Sequence, residues 1–370
     1  MKKVDVITRH AIGNYGSILQ AYATQIAFEK LGYDCEIIDY QRKEEKGKEI
    51  WKNLLRQSPK WNSNIITRLV YRIIQEPNYV SQYKKFFKYR KELLKETKEY
   101  NTIEELKNDL PDADIFCTGS DQVWGKIGNS IYDETYFLKF VPNDKKCIAY
   151  SASFGKKDNN HIIIEKLPEL LCNYSKIMVR EDTAVEIIEK AGFNNVEQVL
   201  DPTLLLNEKD WNKIVKENNI KKDYILIYQL HDNREFEIYA KEFAKRKKMK
   251  LLRITPSLSN LFKCGKTIYM PTPQEYLGYI KNARYIITDS FHGTVFSLIF
   301  NKQFIDICPK RGATRMESIL RNFGLEDRLV KSYDDFSIGD RIIDYKIVNR
   351  NLEKQREDSI LKLKEALEDK

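Results

Sequence analysis

The feature that most constrains the fold is a repeated alternation of short apolar runs with helical patterns. The run VDVIT (4–8) is followed by the loop RHAIGNYGS, by the helical pattern SILQAYATQIAFEKLG, and by a second apolar run, CEIIDY (35–40). A strand, a glycine loop, a helix and a strand in this order predict a βαβ unit with parallel strands and a right-handed crossover. The reactive loops of such a sheet lie at the carboxyl ends of its strands.

The same pattern continues along the chain and then restarts, which predicts two domains. Further strands are indicated by ADIFCT, KCIAYS and KIMV, and after the restart by DYILIYQL, KLLRIT, RYIITDS and QFIDIC. We therefore predict an α/β fold in which two Rossmann-like domains face each other across a cleft. The predicted boundaries are residues 1–205 and 206–335, with a C-terminal tail and long helix over 336–370.

Composition excludes several classes of protein. Hydrophobic residues make up 42% of the chain, which is ample material for a core. The sequence has no apolar run of about 18 residues, so no membrane-spanning helix is expected. The N-terminus lacks a long apolar segment and is interpreted as a first strand, not as a secretory signal. The six cysteines form no CxxC pair, which favours reduced thiols in a cytoplasmic setting over disulfides or a zinc site.

A basic, aromatic insertion of several helices is predicted over about residues 42–100. Residues 41–100 carry 16 Lys and Arg against 7 Asp and Glu, and the net charge of the whole chain is +9. Such a local excess favours one specific anionic neighbour, although a solvated helical surface would have the same composition. The segment matches no recognised nucleic-acid module, so no nucleic-acid partner is expected.

Two glycines in GNYGSILQ (13–20) mark the first loop as a candidate binding element. The motif follows a strand and opens a helix, so Asn14, Tyr15 and Gly16 lie where free backbone N–H groups can meet an anion or a sugar oxygen. The spacing matches neither GxGxxG nor the phosphate-binding P-loop, and the motif taken by itself favours the alternative, a plain strand-to-helix turn.

Two later loops place polar side chains after predicted strands. GSDQVWG (119–125) offers Ser120, Asp121, Gln122 and Trp124, whose hydroxyl, carboxylate, amide and indole groups suit a sugar. The alternative is helix capping by the polar residues, with the tryptophan in the core. In SASFG (151–155), the hydroxyls of Ser151 and Ser153 are further candidates, with a simple turn as the alternative.

His292 is the candidate catalytic residue. It follows the strand RYIITD and precedes a helix, and an imidazole in that position can exchange protons near neutral pH. Asp289 and Ser290 are near enough in sequence to orient it. His231 is a second histidine at a strand end, and His10 lies in the first loop. The four histidines of the chain are too scattered to predict a metal site.

Basic residues follow strands in both halves. Arg180 ends the strand KIMVR, and Lys310, Arg311 and Arg315 follow the strand QFIDIC. Guanidinium groups form bidentate pairs with phosphate and carboxylate, so these residues are candidates for binding an anionic substrate. Ordinary surface charge is the alternative.

Taken together, these motifs resemble those of bacterial polysaccharide pyruvyl transferases. GNYGSILQAYA, GSDQVW, SASFG, VREDTA, VLDPTLLL and TDSFHGTVFSLIFNKQF stand in the order typical of that family, over most of residues 4–330 but without the insertion. The resemblance implies a GT-B-like fold and transfer of the enolpyruvyl unit of phosphoenolpyruvate to a sugar, which then carries a cyclic ketal. It implies no metal and no cofactor beyond this donor.

The resemblance also assigns roles to individual residues. The family's catalytic histidine falls on His292, and its donor-binding arginine in the first half falls on Arg180. A basic residue after the next strand matches Lys310 or Arg311 most nearly. Many members have an arginine where this chain has Ser290, which is itself a candidate donor contact. Arg311 or Arg315 must then replace that arginine, or the donor differs. Asp289, Asp121 and His292 itself are all open as the base for the sugar hydroxyls.

Acceptors of this family are often lipid-linked sugars, which gives the insertion a possible role. We expect residues 50–75 to contact anionic membrane lipid, with Trp51, Trp61 and Tyr71 at the interface. Two alternatives stay open: a GT-B glycosyltransferase that uses a nucleotide sugar, and a non-catalytic glycan-binding protein. The acceptor sugar and the oligomeric state cannot be predicted from the sequence.

Overall fold

Two parallel sheets form the framework of the protein. The computed structural model describes residues 1–127, 130–155, 161–308 and 313–369. Within these residues the first sheet has seven strands, in the order β3-β2-β1-β4-β5-β6-β7, and the second has five, in the order β10-β9-β8-β11-β12. Every neighbouring pair of strands is parallel. The strands are β1 (Lys3–Ile7), β2 (Asp34–Tyr40), β3 (Glu96–Tyr100), β4 (Ile115–Thr118), β5 (Lys146–Ala152), β6 (Tyr174–Val179), β7 (Val196–Gln198), β8 (Tyr224–Tyr228), β9 (Lys250–Thr255), β10 (Lys266–Tyr269), β11 (Tyr285–Thr288) and β12 (Gln303–Asp306).

Helices connect the strands and cover the faces of both sheets. They are α1 (Tyr15–Lys30), α2 (Glu49–Arg56), α3 (Ile65–Leu93), α4 (Ile103–Asn108), α5 (His161–Leu171), α6 (Asp182–Lys190), α7 (Pro202–Leu205), α8 (Glu208–Asn212), α9 (Arg234–Lys247), α10 (Pro273–Lys281), α11 (Phe291–Ile299), α12 (Ala313–Phe323) and α13 (Tyr345–Glu368). Short 3₁₀ helices occur at Lys43–Glu45, Glu134–Phe137, Leu258–Phe262, Glu326–Arg328 and Ser337–Gly339. In the part of the chain that the structure describes, no helix combines the length and the apolar character needed to cross a bilayer.

The first sheet is buried on both faces, and successive side chains of its central strands alternate between the two. In β4, Ile115 and Cys117 face one hydrophobic cluster, whereas Phe116 faces the cluster on the opposite side. Successive residues of a strand point to opposite faces, so a strand that is covered on both faces must be apolar throughout. This explains why the short apolar runs of the sequence predict the central strands correctly.

The segments that carry the two sheets, here called the N-terminal and C-terminal halves, share one hydrophobic cluster. The ring of Tyr15 stacks on Tyr276 with centroids 4.6 Å apart, and Trp211 meets Phe296 edge to face at 5.0 Å. The Tyr15 hydroxyl also donates to the Pro271 carbonyl at 2.7 Å. These contacts fix the relative position of the loops that meet between the halves.

The last helix returns from the C-terminal half to the N-terminal half. In α13, Arg356 Nε donates to the Leu204 carbonyl at 2.8 Å, and Ser359 Oγ accepts from Leu200 N at 3.0 Å. The predicted boundaries at residues 205 and 335 stay predictions. The strands of the first sheet all precede the boundary at residue 205 and those of the second sheet all follow it, since β7 ends at Gln198 and β8 begins at Tyr224.

The insertion differs in detail from its prediction. It consists mainly of α2 and the long helix α3, and it ends in β3, an edge strand of the first sheet. Trp51 and Tyr71 are buried, and Trp61 packs against Tyr71 with ring centroids 5.7 Å apart. The buried rings of Trp51 and Tyr71 stabilise the α2–α3 pair, so the expectation that these two lie at a membrane interface is corrected. For Trp61, which is partly exposed, it stays a prediction.

Instead, α3 exposes aliphatic side chains. One side of its N-terminal half carries six of them, all more than a third exposed, among them Ile65 at 81% and Ile73 at 66%. Their spacing of one, three and four residues places them on a single side of the helix. We call this surface the aliphatic face; it consists of Ile65, Ile66, Leu69, Val70, Ile73 and Ile74.

Candidate functional site

A cavity of about 280 Å³ lies between the two halves at the carboxyl ends of their strands. We call it the cleft. The N-terminal half contributes the loops after β1 and β4, and the C-terminal half contributes the loop after β8, the start of α11 and the start of α12. A parallel sheet offers its loops to a ligand at this edge, because all of its strands end there.

His292 occupies the first turn of α11 and lines the cleft. Ser290 caps this helix, since its Oγ accepts from Gly293 N at 3.4 Å. The imidazole is 5% exposed and packs against Gly16 at the start of α1. Burial lowers the pKa of His292 below its ordinary value of 6.5, although the carboxylates of Asp201 and Asp121 oppose the shift. The ring is therefore neutral near pH 7 in the ligand-free protein.

Asp201 is the charged group that organises this region. It is fully buried at the N-cap of α7. Its Oδ2 accepts from Arg180 Nη1 and from Ser120 Oγ, each at 2.9 Å, and lies 3.8 Å from His292 Nε2. Burial alone would raise the pKa of Asp201, but His292 and Arg180 hold it at about 2. This role was not predicted from the sequence, although the aspartate before Pro202 in VLDPTLLL was a usable signal for a helix cap at a strand end.

Arg180 lies behind the cleft with part of its guanidinium group unused. Its Cζ lies over the ring of Phe291, 4.5 Å from the ring centroid, and its Nε lies 3.5 Å from Glu181 Oε2. Among the described residues, Nη2 of Arg180 has no hydrogen-bond partner although it is buried. A buried donor without a partner is costly, so this atom is a candidate contact for an anionic ligand.

Arg315 reaches the cleft from α12. Its Nη1 lies 3.8 Å from Asp121 Oδ1, and the Gln122 side-chain oxygen, in the amide orientation that satisfies both groups, accepts from the same nitrogen at 3.1 Å. Burial and the neighbouring charge of Arg180 lower the pKa of Arg315 to about 10. Because the positive charges of Arg180 and Arg315 repel each other, the site favours a bound anion. Ser290, another predicted donor contact, lines the cleft. Lys310 and Arg311, the remaining predicted donor contacts, lie outside the described residues.

Asp289 lines the cleft, but its contacts hold a neighbouring loop. Its two carboxylate oxygens accept from Leu230 N at 2.6 Å and from His231 N at 2.9 Å. Oδ2 also lies 3.1 Å from Nδ1 of His231, whose side chain is half exposed at the cleft. The geometry thus makes Asp289 a residue that positions His231, whereas its predicted catalytic role stays a prediction.

Three of the residues predicted to bind the acceptor line the cleft: Asn14, Asp121 and Gln122. Asn14 caps α1 by accepting from Gly16 N at 2.8 Å. Asp121 has a φ of 76°, and its Oδ2 accepts from Ser17 Oγ at 3.0 Å. A left-handed φ is strained for a residue with a side chain, and such strain concentrates at functional sites.

The other predicted acceptor contacts lie behind the cleft. Trp124 is fully buried, stacks on Phe137 and donates from Nε1 to the Tyr136 carbonyl. The ring of Tyr15 is equally buried between the halves. The structure does not support contact of either ring with a sugar, because neither has an exposed face. The same correction applies to three buried serines whose hydroxyls already have protein partners: Ser120, Ser151 and Ser153.

Two cations of the cleft wall, Arg9 and Lys126, were also not predicted from the sequence. Arg9 is the second residue after β1, so its position at a strand end was a usable signal. Its Nη2 pairs with Glu45 Oε1 at 2.9 Å. His10, by contrast, points away from the cleft. It is fully buried with Nε2 3.0 Å from Glu96 Oε1, in an ionic network that includes Arg90.

Comparison with known proteins concerns both the sequence and the fold. A sequence model described as polysaccharide pyruvyl transferase matches residues 14–307. No curated protein matches the chain significantly.

Among solved structures, similar folds occur in UDP-GlcNAc 2-epimerases. A putative UDP-N-acetylglucosamine 2-epimerase from Listeria monocytogenes has a TM-score of 0.52 and 10% identity, covering 96% of this chain and 90% of that chain. The UDP-GlcNAc 2-epimerase from Neisseria meningitidis bound to UDP-GlcNAc has a TM-score of 0.51 and 10% identity, over 97% and 99%. The enzyme from Methanocaldococcus jannaschii in complex with UDP-GlcNAc and UDP has a TM-score of 0.50 and 17% identity, over 96% and 93%. At these identities the likeness concerns the fold alone, and it confirms the predicted GT-B-like pair of Rossmann-like domains.

Proposed function

The chain belongs to the polysaccharide pyruvyl transferase family, and on that premise we propose that it transfers the pyruvyl unit of phosphoenolpyruvate to a sugar, forming a cyclic ketal. One observation carries the proposal. The buried imidazole of His292 lines a cleft that also holds the guanidinium group of Arg315, with that of Arg180 directly behind Phe291. A proton donor beside fixed cations is the arrangement that an anionic enol ether requires.

The cations of the cleft match the charges of the donor. Phosphoenolpyruvate carries a carboxylate and a phosphate, and Arg9, Lys126 and Arg315 line the cleft. Arg180 adds a buried nitrogen without a partner among the described residues. We propose that Arg315 replaces the arginine that many family members have where this chain has Ser290. Roles for Lys310 and Arg311 in donor binding stay part of the proposal.

The reaction begins with proton transfer from His292 to C3 of phosphoenolpyruvate, which makes C2 electrophilic. A sugar hydroxyl then adds at C2 and gives up its proton, the bond from C2 to the phosphate oxygen breaks, and a second hydroxyl closes the ketal. The sum is one diol and one phosphoenolpyruvate converted to one ketal and one phosphate. The proton of the first hydroxyl goes to His292 and replaces the one that His292 gave to C3. The proton of the second hydroxyl leaves with phosphate.

The lowered pKa of His292 sets when the proton arrives. Near pH 7 the free imidazole is neutral, because burial disfavours its charged form. A bound multivalent anion raises the proton affinity of a nearby imidazole, so His292 takes up its proton together with the donor. After protonating C3, the ring is neutral again and can accept the proton of the first hydroxyl. His292 then serves as acid and base in turn, and Asp121, whose carboxylate faces Arg315, orients the acceptor.

The acceptor is a sugar of a cell-surface polysaccharide, and we propose that the enzyme meets it as a lipid-linked precursor on the cytoplasmic side of the membrane. The aliphatic face of α3 supports this location. Residues 50–75, which include that face, carry five Lys and Arg and no Asp or Glu. An exposed apolar helix surface with basic neighbours is typical of peripheral binding to anionic lipid.

The test combines the purified protein with phosphoenolpyruvate and with galactose-, mannose- or glucose-bearing acceptors. We expect phosphate release that depends on the acceptor, together with a mass gain of one pyruvate ketal. Parallel reactions contain UDP- or GDP-sugars in place of phosphoenolpyruvate. Sugar transfer in those reactions, without phosphate release from phosphoenolpyruvate, would identify a nucleotide-sugar glycosyltransferase instead.

A further inference from the structure

A second cavity, of about 320 Å³, lies beside the cleft. We call it the insertion groove; its walls are residues 11–13 of the first loop, the 3₁₀ turn Lys43–Glu45, α2 and α3. Ile12 lines both the groove and the cleft. The first loop therefore separates the two cavities. Gln82 of α3 holds this loop in place, since its Nε2 donates to the Gly13 carbonyl at 2.9 Å. A ligand that fills the cleft and continues past Ile12 therefore enters the groove.

The chemistry of the groove differs from that of the cleft. Among the described residues that line it there is no Lys or Arg, and its polar groups include the amides of Asn53, Gln57 and Gln82. Both of its carboxylates already pair with arginines outside its walls, Glu44 with Arg42 and Glu45 with Arg9. The groove thus offers no free positive charge to a phosphate or a carboxylate.

The remaining walls are apolar and aromatic. Tyr79 and Tyr83 of α3 line one side of the groove, and Leu54 of α2 lines the other. A flat ring of C–H groups suits a tyrosine face, and hydroxyls suit side-chain amides. A purely hydrocarbon ligand would leave the amides and carboxylates without water, which is unfavourable. The volume lies within the range of about 300–1,000 Å³ that is usual for small-molecule sites.

We infer that the insertion groove is a subsite for a neutral sugar ring, namely the ring next to the reacting sugar of the acceptor glycan. This inference rests on the proposed function, because it takes the reacting sugar to lie in the cleft. It assigns the insertion a second task beyond any contact with a membrane: α2 and α3 recognise the glycan and thereby select which sugar of a chain reaches His292.

The experiment compares acceptors of one and two sugars. The probes are the methyl glycosides of galactose, glucose and mannose, together with lactose, cellobiose, maltose and mannobiose. Leu54→Trp fills the groove, Gln57→Ala removes one amide at an exposed position, and Arg56→Trp is the matched control on the same helix outside the groove walls. The KM and kcat for each acceptor are measured, and binding is followed by saturation-transfer NMR without phosphoenolpyruvate.

For the acceptor that reacts, we expect a disaccharide KM about tenfold below that of the monosaccharide, the equivalent of one or two hydrogen bonds. Leu54→Trp abolishes this preference, Gln57→Ala reduces it, and Arg56→Trp keeps it, while the KM for phosphoenolpyruvate stays constant in all three. Ketal formation with no preference for disaccharides would overturn the groove assignment and leave the proposed function standing.

If the protein makes no ketal but binds disaccharides, and Leu54→Trp abolishes that binding, the groove assignment stands and the proposed function is wrong. Decyl glycosides distinguish a sugar site from a lipid site. If a decyl monosaccharide gains as much affinity as a disaccharide and loses it in Leu54→Trp, the groove holds an alkyl chain and the assignment is wrong.

Discussion

Gly16 of the N-terminal half lies directly against the imidazole of His292 of the C-terminal half, so closely that a Cβ at position 16 would overlap ring atoms Cγ and Nδ1. The start of α1 therefore forms one wall of the histidine's site. The position of the candidate catalytic group depends on the packing of both halves, which Tyr15 and Tyr276 fix by stacking one residue away.

Gly16→Ala is expected to reduce pyruvyl transfer about 100-fold, because the added methyl displaces the His292 ring and displacements of about 1 Å at a catalytic group cost this much. Steady-state rates of phosphate release measure the effect. Gly192→Ala is the matched control: its Cβ would meet no atom within 4 Å, so the φ of 95° makes it cost stability alone. Unchanged turnover in Gly16→Ala would show that His292 does not need its present position.

Asp201→Asn is expected to destabilise the protein by about 3 kcal/mol, because the guanidinium group of Arg180 loses the buried carboxylate that faces it. Urea unfolding at pH 7 measures the loss. Asp182→Asn, which breaks the exposed pair with Arg321, is the control and should cost less than about 1 kcal/mol.

The same substitution should also change the response to acid. The pKa of Asp201 is held at about 2, below its ordinary 3.8, so its stabilisation is present above pH 3.8 and is lost as pH falls through about 2. The stability difference between wild type and Asp201→Asn should shrink across that interval. A constant difference would contradict the assigned ionisation.

Arg315→Met is expected to raise the KM for phosphoenolpyruvate about 30-fold, the equivalent of about 2 kcal/mol for a lost charge-assisted contact. Initial-rate kinetics with varied donor test this. Arg321→Met on the same helix is the control, since Arg321 is half exposed and pairs with Asp182 outside the cleft. Equal donor KM values for the two variants would remove Arg315 from the donor site.

The double substitution Ile66→Asp with Ile73→Asp is expected to reduce co-sedimentation with phosphatidylglycerol vesicles at least tenfold, because it places charge in the aliphatic face. Wild-type binding should weaken as salt rises. Ile347→Asp in α13 is the control, since Ile347 is as exposed as Ile73 but lies on another helix. If wild type sediments with neutral and anionic vesicles alike, or with neither, the membrane proposal fails. A shift from dimer to monomer in the double variant would identify a second copy of the chain as the occupant.

The local sequence pattern predicts those features of the fold and the site that depend on residues close together in the sequence. The central strands are apolar on both faces, and residues such as His292 and Arg180 are recognisable because they lie within a few residues of a strand end. Contacts between residues far apart in the sequence have no local pattern. The contacts of His292 with Asp201 and with Gly16 therefore could not be predicted. The direction of a loop side chain is equally hidden: Trp124 and Asp121 belong to one motif, yet one is in the core and the other lines the cleft.

Pyruvyl transfer itself can be tested by following the carbon skeleton of the donor. Phosphoenolpyruvate labelled with ¹³C at C2 is incubated with the protein and an accepted glycan, and the product is examined by NMR. We expect a labelled ketal carbon bonded to two sugar oxygens, with stoichiometric phosphate, and a rate about 100- to 10,000-fold lower for His292→Gln. Label that stays in phosphoenolpyruvate or free pyruvate with every acceptor, or equal rates for His292→Gln, would contradict it.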